Sequence, residues 1–191
     1  MRICVYGAAS NEIDKSYIEA GESLGKEMGT RGHSLVFGGG ATGLMGAVAR
    51  GIEKENGEII GVSPSFFNVD GILFDRCSEM IFTDTMRERK QIMEEKSDAF
   101  IITVGGIGTF EEFFEILTLR SLDRHKKPIA ILNTNGYYDH LIQFLENGVK
   151  ENFLKAENLE LFFVSDSHTE VLDYIESYKD TEDKIEKTRF V

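Results

Sequence analysis

Seven short apolar runs alternate with amphipathic stretches along almost the whole chain, and no other feature limits its fold as strongly. The runs are RICVY from Arg2, SLVF from Ser34, EIIGV from Glu58, EMIFT from Glu79, AFIITV from Ala99, PIAIL from Pro128 and LFFVS from Leu161. Helical periodicity covers Asp14 to Thr30, Thr42 to Glu55, Thr85 to Lys96, Thr109 to Leu122, Tyr137 to Glu151 and Glu170 to Tyr178. Ile13, Tyr17, Ala20, Leu24 and Met28 recur at the spacing of one helix face, as do Tyr137, Leu141, Phe144, Leu145 and Val149. The alternation predicts an α/β, three-layer fold: a mostly parallel sheet of about seven strands with helices on both faces.

A chain of 191 residues with 41% apolar content has room for one substantial core. Its two prolines, Pro64 and Pro128, mark no linker, so one domain is expected over residues 1–178, followed by a charged tail, 179–191. Thirty-three acidic residues against 21 basic give a net charge of -12, which disfavours nucleic acid polymers and anionic membrane surfaces as partners. The first apolar run is too short for a signal-peptide core and no later run reaches membrane-spanning length, so the expected location is the cytoplasm. Cys4 and Cys77 form no C-x-x-C pair and read as unpaired thiols, Cys4 in the core. The four histidines have no partner three or four residues away, so neither a metal site nor a cofactor is expected.

Ligands of open parallel sheets bind beyond the carboxyl ends of the strands. Three glycine-rich turns occupy such ends: YGAAS after the first run, FGGGATGLMG after the second and VGGIGT after the fifth. Gly38, Gly40 and Gly43 spell G-x-G-x-x-G, yet the strand EIIGV ends in Ser63 and Pro64 where a dinucleotide site needs an acidic residue for the ribose. A P-loop is excluded because no G-K-[ST] follows. Tight turns and helix packing also use glycine, so a structural origin for this loop stands beside close backbone approach to a ligand. VGGIGT makes the stronger anion site, since its amides and the start of the next helix present N–H groups and a positive dipole end. A phosphate is the natural occupant.

Two charged residues fall in unusual places. In DTMRERKQIMEEK, Arg89 lies on the face marked by Met86 and Met93, where an arginine either snorkels or meets an anion. Thr109 and Glu112 stand in the T-x-x-E spacing of a capping box, with Thr109 as N-cap, a role that requires no ligand. At a helix N-terminus a carboxylate is favoured in its charged form. Phe110, Phe113, Phe114 and Leu117 on one face of this helix, with Ile116 and Leu119 on another, predict burial on both sides, one against the sheet and the other against a neighbouring helix or a second subunit, so a homodimer is the expectation.

The motifs GGGATGLMG, MRERK and GGIGTFEE, with SDAFI and KPIAILNTNGYYDHLI, resemble the signatures of the LONELY GUY family of cytokinin riboside 5'-monophosphate phosphoribohydrolases, from ICVYGAAS to about Tyr178. Some relatives carry an older lysine decarboxylase label, but no pyridoxal-phosphate lysine motif is evident here. The resemblance implies a Rossmann-like fold, a homodimer and hydrolysis of the N-glycosidic bond of a nucleoside 5'-monophosphate to free base and ribose 5-phosphate. The P-G-G-x-G-T-x-x-E motif maps onto Val104 to Glu112 and M-H-x-R-K onto Met86 to Lys90, which implies Arg89 and Glu112 as catalytic pair. The implied substrate-binding set is Ser10, Gly40, Gly43, Met86, Lys90, Gly105, Gly106, Ile107, Gly108, Thr109, Glu111 and Thr118. Val104 stands where the family has proline, Arg87 where it has histidine, and Gly71, next to Asp70, where an acidic residue is usual. The segment TLRSLDRHKKP replaces a stretch that holds tryptophan, glutamine and glycine in many members. Cytokinin-type and plain adenine bases both stay open.

An oxocarbenium-like transition state would place positive charge on the sugar, which a carboxylate at Glu112 stabilises while Arg89 clamps phosphate or ribose oxygens. A nucleotide or cofactor carrier without turnover is the alternative from another class. A nicotinamide-dependent oxidoreductase is disfavoured by the missing ribose-binding acid.

Overall fold

The computed structural model describes residues 1–69 and 71–179. The expected tail beyond Lys179 and the acidic Asp70 lie outside the described residues. The strands are β1 (Arg2–Tyr6), β2 (Ser34–Phe37), β3 (Ile59–Pro64), β4 (Glu79–Thr83), β5 (Ala99–Ile102), β6 (Ile129–Leu132) and β7 (Phe163–Ser165). The helices are α1 (Lys15–Thr30), α2 (Gly43–Lys54), α3 (Met86–Glu95), α4 (Ile107–Ser121), α5 (Asp139–Lys150) and α6 (His168–Ser177). All seven strands join one sheet in the order β4-β3-β2-β1-β5-β6-β7, and every pairing is parallel. The fold is the α/β three-layer architecture that the alternation predicts.

Burial follows strand position. From residue 3 onward β1 is wholly buried, as are β3, β5 and β6, because helices cover both faces, and their sequences are correspondingly rich in valine and isoleucine. The edge strands β4 and β7 are partly exposed and admit Glu79, Thr83 and Ser165. Cys4 is fully buried in β1 and both cysteines are free thiols.

Helix starts follow local chemistry. Asp14 accepts the Ser16 N–H at α1, and Ser167 accepts the Glu170 N–H at α6. At α3 the Thr85 hydroxyl accepts the Glu88 N–H while the Glu88 carboxylate accepts the Thr85 N–H, which completes a capping box. Right-handed crossovers put α1 and α2 on one face of the sheet and, after the chain reverses direction from edge to centre, α3, α4 and α5 on the other. α6 returns to the first face, where Arg31 at the end of α1 pairs with Asp173 and Glu176.

Strand order reverses between β1 and β5, so a crevice opens at their carboxyl ends. The three glycine-rich turns follow β2, β1 and β5, three adjacent strands. The first and last of them lie more than 90 residues apart in sequence, and the sheet order makes them one surface.

Candidate functional site

Arg89 and Glu112 meet above this crevice. Arg89 Nη1 donates to Glu112 Oε1 at 2.8 Å and Nε donates to the Val62 carbonyl at 3.1 Å. Both residues are buried, Arg89 at 7% and Glu112 at 8% exposure, so Arg89 does not snorkel to water. Instead it fills the space beside Gly38. A Cβ built there would overlap Nη2 and stand 3.2 Å from Cζ. The glycine read as part of a dinucleotide motif therefore makes room for a guanidinium.

The capping box expected at Thr109 and Glu112 is not formed. The N-cap of α4 is Gly106, three residues earlier, so Thr109 is the third helical residue and Glu112 the sixth. Gly106 and Gly108 add no side chains that would oppose this earlier start. Glu112 thus sits beyond the first turn, where the helix dipole contributes little. Burial pushes its carboxyl above the ordinary range, and the Arg89 guanidinium pulls the other way. The ion pair, not the helix end, favours its charge. Beneath the pair, burial raises the Cys4 thiol to about 12 and the Tyr6 phenol well above its usual value. Neither adds negative charge beside Glu112.

The turn after β5 lies next to the pair. Gly105 is buried against Ala8, and a Cβ there would overlap Thr109 Oγ1. Gly106, Ile107 and Gly108 are exposed, and a Cβ at Gly106 or Gly108 would meet no atom within 4 Å. Neither glycine has a positive φ, so intramolecular packing gives no reason for the missing side chains. At the second turn, Gly43 has φ of 62°, donates its N–H to Asn11 Oδ1 at 2.8 Å and leaves no room for a Cβ beside Ala9. Gly40 bridges to Leu73, while Ala41 N–H and the Gly39 carbonyl bond to Ile72 and Phe74. Ser10 is exposed on the first turn and its hydroxyl accepts the Glu12 N–H.

Lys90, one residue beyond Arg89, pairs with Glu111 and with Glu115 at 2.6 Å. Burial pulls its pKa down, but the two carboxylates outweigh that and leave it raised. A cavity of about 480 Å³ opens here between α3 and α4, lined by Tyr6, Arg87, Lys90, Glu111, Glu115 and Ile116 among others. Met86 is 41% exposed at the first residue of α3 rather than on the buried stripe, which Arg89 and Met93 form. On α4 the buried face is Thr109, Glu112, Phe113 and Ile116; Phe114 is 36% exposed, since it lies one residue, 100° of helix turn, past Phe113. Thr118 is exposed and lies roughly 13 Å along the helix from Thr109, apart from the glycine turns.

Sequence reasoning missed the α3 capping box, although Thr85 and Glu88 carry the T-x-x-E signal. It also missed the Lys90 clamp and two tyrosines under the turn after β5, whose hydroxyls bond to the Gly105 and Thr103 carbonyls.

The family model described as "Possible lysine decarboxylase" matches residues 45–175. A probable cytokinin riboside 5'-monophosphate phosphoribohydrolase of Oryza sativa subsp. japonica is 36% identical over 184 residues, 96% of this chain and 74% of that protein. A cytokinin riboside 5'-monophosphate phosphoribohydrolase of Arabidopsis thaliana is 34% identical over 184 residues, 96% of this chain and 81% of that protein. The chain belongs to the LONELY GUY family. Solved structures extend the likeness of this LONELY GUY protein in fold alone. The molybdenum cofactor binding protein from Rippkaea orientalis matches with a TM-score of 0.72 at 22% identity, over 92% of this chain and 95% of that one. The molybdenum cofactor carrier protein from Chlamydomonas reinhardtii matches with a TM-score of 0.69 at 23% identity, over 92% and 94%.

Proposed function

We propose that the protein hydrolyses the N-glycosidic bond of nucleoside 5'-monophosphates, releasing the free base and ribose 5-phosphate. The observation that carries this reading is the buried Arg89–Glu112 pair beside an open glycine turn at the sheet's switch point. The family's named activity agrees with it. The amides of Gly106 to Thr109 are helix-start donors without intrahelical acceptors and suit a 5'-phosphate. Glu112 stabilises the positive charge that develops on the ribose as the base departs and orients the attacking water. Arg89 holds the Glu112 carboxylate ionised and directs it. Ser10, Gly40, Gly43, Met86, Lys90, Gly105, Ile107 and Glu111 complete the substrate-binding set, and Thr118, apart from the glycine turns, falls outside it.

Residues 1–178 act as one nucleotide-binding domain, and the expected location is the cytoplasm; among the described residues no helix is long and apolar enough to cross a membrane. The protein works as a homodimer. Phe114, Phe144 and Phe153 are exposed around an apolar groove between α4 and α5, which supports that assembly.

The test is to incubate purified protein with AMP and with its N6-isopentenyl analogue, and to follow free base and ribose 5-phosphate by chromatography. Absence of base release from every nucleotide tried would sink the enzymatic reading. A carrier without turnover is the second reading, favoured by the molybdenum cofactor proteins of like fold. It predicts nucleotide or cofactor binding with no product. A monomeric mass by light scattering would refute the dimer.

A further inference from the structure

Three consecutive carbonyls of the turn after β5 are tied down, two by adjacent tyrosines and one by the turn after β1. Thr103 O accepts from Tyr138 Oη at 2.8 Å, Val104 O accepts the Ala8 N–H at 3.0 Å, and Gly105 O accepts from Tyr137 Oη at 2.9 Å. In a planar trans peptide the carbonyl and the following N–H point to opposite sides. The Tyr137 bond to Gly105 O therefore turns the Gly106 N–H away from Tyr137. Gly106 is the N-cap of α4, and its amide has no acceptor within the helix.

The two tyrosines carry different loads. Tyr138 is 1% exposed and packs edge-on against Phe110, so it belongs to the core. Tyr137 is 43% exposed and meets Tyr17 and Tyr138 only ring to edge. Their backbone is held from below: Asn133 Oδ1 accepts the Tyr138 N–H at 2.7 Å, and Asn133 Nδ2 donates to Asp139 at 2.7 Å.

We infer that Tyr137 is a positioning residue for phosphate recognition: its hydroxyl fixes the Gly105–Gly106 peptide plane, so that the Gly106 N–H is aimed at the 5'-phosphate before ligand arrives. This inference rests on the reading that the turn takes that phosphate. A donor already aimed pays no ordering cost on binding.

Titration of ribose 5-phosphate into the full-length protein by calorimetry, with AMP kinetics in parallel, tests it through Tyr137→Phe. Loss of one neutral hydrogen bond should weaken ribose 5-phosphate binding about 3- to 10-fold and raise KM for AMP by a similar factor. kcat should stay within about two-fold and, because Tyr137 is exposed, the melting temperature within about 2 °C. Wild-type affinity in the variant overturns the inference alone, as does a fall in kcat at unchanged affinity. If the wild-type protein binds no ribose 5-phosphate, the phosphate assignment of the turn falls, and the role of Tyr137 with it.

Discussion

Gly38→Ala separates catalysis from folding more sharply than removal of either charged residue. The added methyl carbon would overlap Arg89 Nη2 and lie 3.2 Å from Cζ, against about 3.5–4.0 Å for comfortable contact. The guanidinium must retreat by about 1 Å or more. It is held by Glu112 at 2.8 Å and by the Val62 carbonyl at 3.1 Å, so a shift of that size stretches one or both bonds beyond hydrogen-bonding distance. The colliding atom is the end of a flexible side chain, so the backbone can stay in place and overpacking should cost about 1–3 kcal/mol. For a protein of this length that is a drop of about 2 to 12 °C in melting temperature. Catalysis should suffer more, because a misplacement of about 1 Å in a positioned group costs on the order of 100-fold in rate. Base release from AMP and differential scanning calorimetry give the two numbers on one sample. A Gly38→Ala protein with wild-type kcat would refute the claim that Arg89 must stand in that space.

Glu112→Gln should abolish base release yet keep ribose 5-phosphate binding, and it should also lower the melting temperature, since Arg89 loses its buried counter-charge; retained turnover would refute the catalytic role. Because burial raises the Glu112 carboxyl, the acidic limb of kcat against pH should lie above the ordinary glutamate value of 4.5, and a limb at or below it would argue against Glu112 as the ionised group. His125 is buried, donates from Nε2 to the Ile116 carbonyl at 2.9 Å, and is lowered by burial to about 4. Its folded pKa lies below its unfolded value, so its contribution to stability is complete above about pH 6.5 and is lost as pH falls toward 4. Melting temperatures at pH 7 and pH 5 should therefore differ more in the wild type than in His125→Gln, and equal differences would remove His125 as the cause.

The strands and helices were legible because each is a local pattern. RICVY and SLVF became β1 and β2 at their expected bounds, and the helix periods survived to within two residues at most ends. The start of α4 was misread because T-x-x-E fits a capping box wherever it occurs, whereas the actual helix start depended on Ile107 and Gly108 adopting helical backbone after an extended Gly106 cap. The same signal at Thr85 and Glu88 formed the real cap. The glycine turn after β5 could be recognised as a turn by its spacing. Gly38 could not be told from its glycines, since its constraint is a guanidinium 51 positions later in the chain.

By itself the sequence determined the alternation, and with it the parallel sheet, the layers and the location of three glycine turns at strand ends, because periodicity and turn chemistry act over a few residues. Its motifs also carried the family. Tertiary structure alone decided the order β3-β2-β1-β5, which makes those turns neighbours, and the 2.8 Å pairing of Arg89 with Glu112. It also decided the charge balance of Glu112, a contest between burial and a guanidinium from another helix. Such terms depend on distances between segments remote in sequence, and those distances exist only once the chain has folded.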